Sequence, residues 1–207
     1  MNLILVHGLG QSAAAWDKTA GYLPGNVSTV CPELSGMYKG GGYNSLYSAF
    51  CEYCGGFPEP LDLCGLSLGA VLALNYAADF PEKVRSLVMI AGQYKVPKAL
   101  MRLQGLIFRL MPKKSFEGTG FGKTDFIELN GSMAGLDFTD KLENITVDVL
   151  VAVGERDKPN AEAANELSML LGCPLEIIPD SGHEVNIDAP KALAEVLTAF
   201  YGQSGFI

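Results

Sequence analysis

Apolar residues in this 207-residue chain gather in short, mostly unbroken runs, separated by longer stretches with helical spacing. The runs are Asn2–Val6, Val27–Cys31, Leu61–Cys64, Ser86–Ala91, Val147–Val153 and Pro174–Ile178. Few of them alternate apolar with polar, which is the pattern of parallel strands buried on both faces. Helical spacing covers Ser12–Leu23, Gly42–Gly55, Ser67–Ala78, Asn160–Leu171 and Pro190–Tyr201. Strand and helix in alternation predict an α/β fold, a doubly wound, mostly parallel six-stranded sheet, in a single domain over residues 1–207. In such a sheet the ligand site lies beyond the carboxyl ends of the strands.

One segment breaks the rhythm. Residues 93–144 contain no clear strand. They mix Tyr94, Met101, Leu106, Phe108, Met111 and Phe116 with Lys95, Lys98, Arg102, Arg109, Lys113 and Lys114. An insert of this length in a compact domain reads as a lid or binding element.

The chemistry begins at Gly65-Leu66-Ser67-Leu68-Gly69, which sits between an apolar run and a helical one. G-x-S-x-G in that setting puts a serine on a sharp turn with its hydroxyl held out above the sheet. Small residues on both flanks let strand and helix backbones approach. A serine hydroxyl needs a base, and the chain has only two histidines. His183, in Ser181-Gly182-His183, follows the last strand; His7, in His7-Gly8-Leu9-Gly10, follows the first. His183 is read as the base and His7 as a residue that orients its loop. Asp157, after the fifth strand, is the acid that fixes the base's tautomer; Glu155 and Asp137 are the reserves. The order Ser, Asp, His matches the nucleophile-elbow hydrolases. The backbone N–H groups of Leu9 and Leu68 are read as the oxyanion donors.

Composition adds limits. Hydrophobic residues make up 48% and charged residues 18%, ordinary for a soluble globular chain. The net charge of -8 argues against nucleic acid and against an anionic membrane surface as partners. Neither a membrane-length apolar run nor a signal-like start is seen, so a cytoplasmic location is expected. Five cysteines, an odd count, fit reduced thiols. Cys51 and Cys54 form a C-x-x-C without a second ligand pair or a preceding strand, and are read as structural. The glycine-rich Lys39–Gly42 follows no strand in the manner of a phosphate loop.

On His7-Gly8-Leu9-Gly10, Gly65–Gly69, Gly154-Glu155-Arg156-Asp157 and Gly182-His183, the chain resembles the α/β-hydrolase family, specifically its small, lid-bearing, esterase-like members. The resemblance implies a Ser67–His183–Asp157 triad, no metal and no organic cofactor. The chain departs from the family in one respect: the expected sheet lacks its first, partly antiparallel strands. The expected reaction is hydrolysis of a carboxylic ester or thioester of a small to medium, fairly apolar molecule. Met37, Tyr38, Gln93, Tyr94, Met101, Phe116 and Met133 are the expected pocket walls. A non-catalytic receptor, or lactone, amide, carbon–carbon or perhydrolase chemistry on the same triad, are the alternatives, because fold does not decide among them.

Overall fold

All six apolar runs become strands of one parallel sheet. The computed structural model describes residues 2–57 and 60–203. The strands are β1 (Asn2–Val6), β2 (Ser28–Val30), β3 (Leu61–Leu66), β4 (Val84–Ile90), β5 (Asp148–Gly154) and β6 (Leu175–Ile178), in the order β2-β1-β3-β4-β5-β6. Every neighbouring pair is parallel. The chain steps outward from β1 to β2, then returns to β3 on the other side of β1 and winds on to β6. β1 and β3 therefore flank the switch point, Val6 opposite Gly65, where a doubly wound sheet opens a crevice for ligand.

Successive side chains on each strand feed opposite cores. Ile4, Val6, Leu63, Leu87, Met89 and Val151 enter one core; Leu3, Leu5, Cys64, Val88, Ile90 and Leu150 enter the other. The first core is covered by α2 (Leu34–Met37), α3 (Gly42–Gly55), α4 (Leu68–Asp79) and α7 (Lys158–Leu171). The second is covered by α1 (Asp17–Tyr22), α8 (Val185–Asp188) and α9 (Pro190–Gln203). Helix α4 is apolar apart from Asn75 and Asp79, and only Asp79, at its end, escapes burial, as expected for a helix enclosed by other elements. Helix α7 has Pro159 in its first turn and stops at Gly172, which has a φ of 61°. The first expected helix divides: Ala13–Trp16 is a 3₁₀ turn that leads into α1.

The segment between β4 and β5 forms a separate layer. Helices α5 (Lys98–Leu110) and α6 (Lys123–Met133) are joined through a 3₁₀ turn at Lys113–Phe116. Phe108, Phe116, Phe121 and Phe126 meet edge to face between them, with centroids 4.7–6.3 Å apart. A narrow neck closes the insert at its base. There the N–H groups of Val96 and Phe138 donate to the carbonyls of Leu136 and Tyr94, at 2.8 and 2.9 Å. The loop at Gly40–Gly42, all three with positive φ, is a docking point for α6. Gly41 N–H donates to Glu128 Oε1 at 3.3 Å and Tyr43 N–H to Ser132 Oγ at 2.8 Å, and the Tyr38 hydroxyl donates to Glu128. A side chain at Gly42 would collide with Ser132, 2.7 Å from its Cβ position.

Candidate active site

Ser67 stands where β3 turns into α4. Its φ of 54° and ψ of -115° lie in a region a side chain seldom adopts, a strain of order 1–3 kcal/mol that its neighbours must hold. They hold it by close packing. A Cβ on Gly69 would lie 2.2 Å from the Val6 carbonyl, and one on Gly65 2.3 Å from that of Gly69. The Ser67 N–H donates to the Ile90 carbonyl at 2.9 Å, pinning the turn to the end of β4. Ser67 occupies the N-cap position of α4, yet its hydroxyl makes no capping bond, so its side chain is not spent on the helix.

Asp157 occupies the equivalent position at the start of α7 and also makes no cap bond. Its carboxylate is buried, 5% exposed, and faces His183, whose Nδ1–H donates to Oδ2 at 2.8 Å. Asn160 Nδ2 donates to both carboxylate oxygens, at 2.8 and 2.9 Å. With Nδ1 protonated, the 3.1 Å approach of Asn160 Nδ2 to His183 is a contact of two donors, held together by the oxygen they share. Asn160 Oδ1 in turn accepts from Gln93 Nε2 at 2.7 Å. Burial works to raise the Asp157 pKa, but the hydrogen bonds from His183 and Asn160 outweigh it and hold the carboxyl below its ordinary range. Glu155 turns to the N–H of Asp180, and Asp137 to Lys95 and Thr139. The carboxylate on His183 is that of Asp157.

His7 is wholly buried. Nδ1–H donates to the Gly8 carbonyl at 2.9 Å, and Nε2 accepts the Leu34 N–H at 3.2 Å. Burial lowers its pKa against the pull of Gly8 and Glu33, and the Leu34 bond requires the same neutral form. This ring braces the loop that carries Leu9. Gln11 braces it from the other side. Its Oε1 accepts the Gly8 N–H at 3.3 Å, and its amide pairs reciprocally with Asn186, at 3.0 and 3.2 Å. The loop after β1 is thereby tied to the segment that follows His183.

Leu9, Ser67, Leu68, Asp157 and His183 all border one cavity of about 390 Å³. Leu100, Met101, Gln104 and Phe108 of α5 and Met133 of α6 form its opposite wall. Of the seven expected wall residues, Gln93, Met101 and Met133 line it. The other four lie outside that lining. Tyr38 is bound to Glu128, Phe116 is locked in the aromatic cluster, Tyr94 faces the neck, and Met37 packs on the core. The Cys51 and Cys54 thiols are free, and burial pushes both up, Cys54 to about 12, the opposite of a reactive thiol. Asn160, Gln11 and Asn186 were not singled out from the sequence. Asn160 carries a local signal, an amide three residues after the acid in the first helical turn. Gln11 and Asn186 are far apart along the chain and carry none.

A wholly parallel sheet with a strained serine on the elbow after β3, and a His–Asp pair at the ends of β5 and β6, is the architecture of a hydrolase. The chain belongs to the alpha/beta hydrolase family, whose model matches residues 3–196. Among its relatives, monoacylglycerol lipase abhd6-B of Xenopus laevis is 22% identical over 96% of this chain and 74% of its own length. The pimeloyl-[acyl-carrier protein] methyl ester esterase of Aromatoleum aromaticum is 31% identical over 43% of this chain and 36% of its own. The solved structure of MenH from S. aureus superposes with a TM-score of 0.81 at 13% identity, covering 99% of this chain and 94% of that one. Lipase and esterase relatives support hydrolase activity on esters. No helix among the described residues is long and apolar enough to cross a membrane.

Proposed function

We propose that this chain is a serine hydrolase that cleaves a carboxylic ester or thioester of a small to medium, fairly apolar molecule through an acyl-enzyme. The observation that carries this reading is the shared cavity: a strained, uncapped Ser67 and a His183–Asp157 pair open onto the same space. Ser67 Oγ attacks the carbonyl carbon while His183 Nε2 takes its proton. Asp157, already ionised and held by Asn160, stabilises the imidazolium without taking its proton. The N–H groups of Leu9 and Leu68 receive the oxyanion, with the N-terminus of α4 adding its dipole. The tetrahedral intermediate collapses, and His183 returns the proton to the leaving alcohol or thiol. Water then attacks the acyl-serine, giving its proton to His183, and the acid leaves as Ser67 is restored.

The walls support the substrate class. A cavity of about 390 Å³ is at the small end of ligand sites. Leu100, Met101, Phe108 and Met133 offer it apolar surface, and methionine adapts to varied acyl shapes. The insert over residues 93–144 acts as the lid. Hydrolysis of nitrophenyl esters of graded chain length tests the reading. Ser67→Ala should lower kcat by on the order of 10⁴-fold or more, with short and medium acyl groups preferred. Turnover by Ser67→Ala near the unaltered rate would refute it.

A further inference from the structure

Helix α5 shows two apolar faces, and among the described residues only one has a partner. Leu100, Met101, Gln104 and Phe108 face the cavity. Leu103, Leu106, Ile107 and Leu110 recur at i, i+3, i+4 and i+7, forming one stripe along the helix, and all four are exposed, Leu110 at 78%. Elsewhere among the described residues, the exposed large apolar side chains come singly or in pairs along the chain. A whole stripe open to water marks an interaction site. By helical period, Leu100 and Gln104 flank this stripe on one side, so its apolar surface runs on into the cavity wall. Lys98, Arg102 and Arg109 flank it on the other. Residues 93–116 hold six basic residues and no acidic one, in a chain whose net charge is -8. The whole-chain charge therefore conceals a basic edge beside the most apolar exposed face.

We propose that the outer face of α5 docks on an anionic lipid surface. The stripe enters the boundary between headgroups and acyl chains while Lys98, Arg102 and Arg109 remain at headgroup level. Apolar insertion and charge act together here, and the basic edge complements an anionic headgroup layer. The docked pose sets the cavity wall beside the lipid, so an apolar ester could pass from it along α5 to the site; that consequence rests on the hydrolase reading, while docking does not.

Co-sedimentation of the full chain with phosphatidylcholine vesicles, with and without phosphatidylglycerol, tests this. The unaltered protein should bind the phosphatidylglycerol vesicles and be released as salt is raised. Leu106→Ser/Leu110→Ser and Arg102→Glu/Arg109→Glu should each lower the bound fraction about fivefold or more. Both pairs are exposed, so thermal melting should be unchanged. Ser67→Ala should bind like the unaltered chain, which separates docking from catalysis: if the chain hydrolyses no ester, vesicle binding still decides the proposal. Binding no stronger than that of the Leu106→Ser/Leu110→Ser variant would overturn it. So would self-association, seen by sedimentation velocity and abolished by that variant, in a chain that binds no vesicle; the stripe would then join two copies.

Discussion

The carboxylate of Asp157 is the best-supported group at the residue scale, because three bonds from two side chains converge on it. Its pKa in the folded chain lies below the ordinary value. The stability this contributes is therefore present above about pH 4 and is lost as pH falls through the folded value. Asn160 supplies two of the three bonds, so in the proposed mechanism it is a positioning residue acting through Asp157. Asn160→Ala should lower kcat about tenfold to a hundredfold with little change in KM. Its stability deficit in urea titrations should be greatest at neutral pH and should narrow below about pH 4. A deficit that stays constant across pH would mean that Asn160 only fills space. Ser67, Asp157 and His183 could be picked out of the sequence because each follows an apolar run, where loops at one end of the sheet must gather. Asn160 could not be placed with them, since its role depends on which way one amide points in the first turn of α7.

Elements were legible where the apolar pattern had one interpretation. The six runs are strands, five of them displaced at an end by a residue or two; β3 continues through Gly65 and Leu66 because the elbow is built on the strand itself. The glycines of G-x-S-x-G are explained by contact distance. Gly69→Ala would drive a methyl group to within 2.2 Å of the Val6 carbonyl, at the junction of β1, β3 and α4. We expect a loss of about 2–4 kcal/mol in chemical denaturation, and a larger loss of activity than of stability, since Ser67 is two residues away. The insert was legible as an interruption and opaque inside. Its aromatic residues announced an apolar layer, but nothing in their spacing said that Phe116 would turn inward to Phe126 while Leu110 would remain in water. Tyr38 and Tyr94 mislead for the same reason: a buried aromatic side chain packs on the core as readily as it lines a pocket.

Across the whole molecule, the sheet order brings together groups that lie between residues 7 and 183. The switch between β1 and β3 sets Leu9 beside Ser67, and the walk to β5 and β6 delivers Asp157 and His183 to the same rim. The Gln11–Asn186 amide pair fastens the two ends of this path to each other. Pairings that span most of the chain leave no periodic trace in sequence, which is why the rim was expected and its fastening was not. Charge behaves similarly. A net value of -8 describes the average, and the basic edge of α5 is visible only once the helix is given a direction. The central claim is that these distant loops assemble an activated serine. Labelling with a fluorophosphonate, read by intact mass and peptide mapping, tests it without a chosen substrate. We expect one adduct, on Ser67, lost in Ser67→Ala and in His183→Ala. An adduct on another residue, or labelling of Ser67 that is undiminished in His183→Ala, would contradict the account.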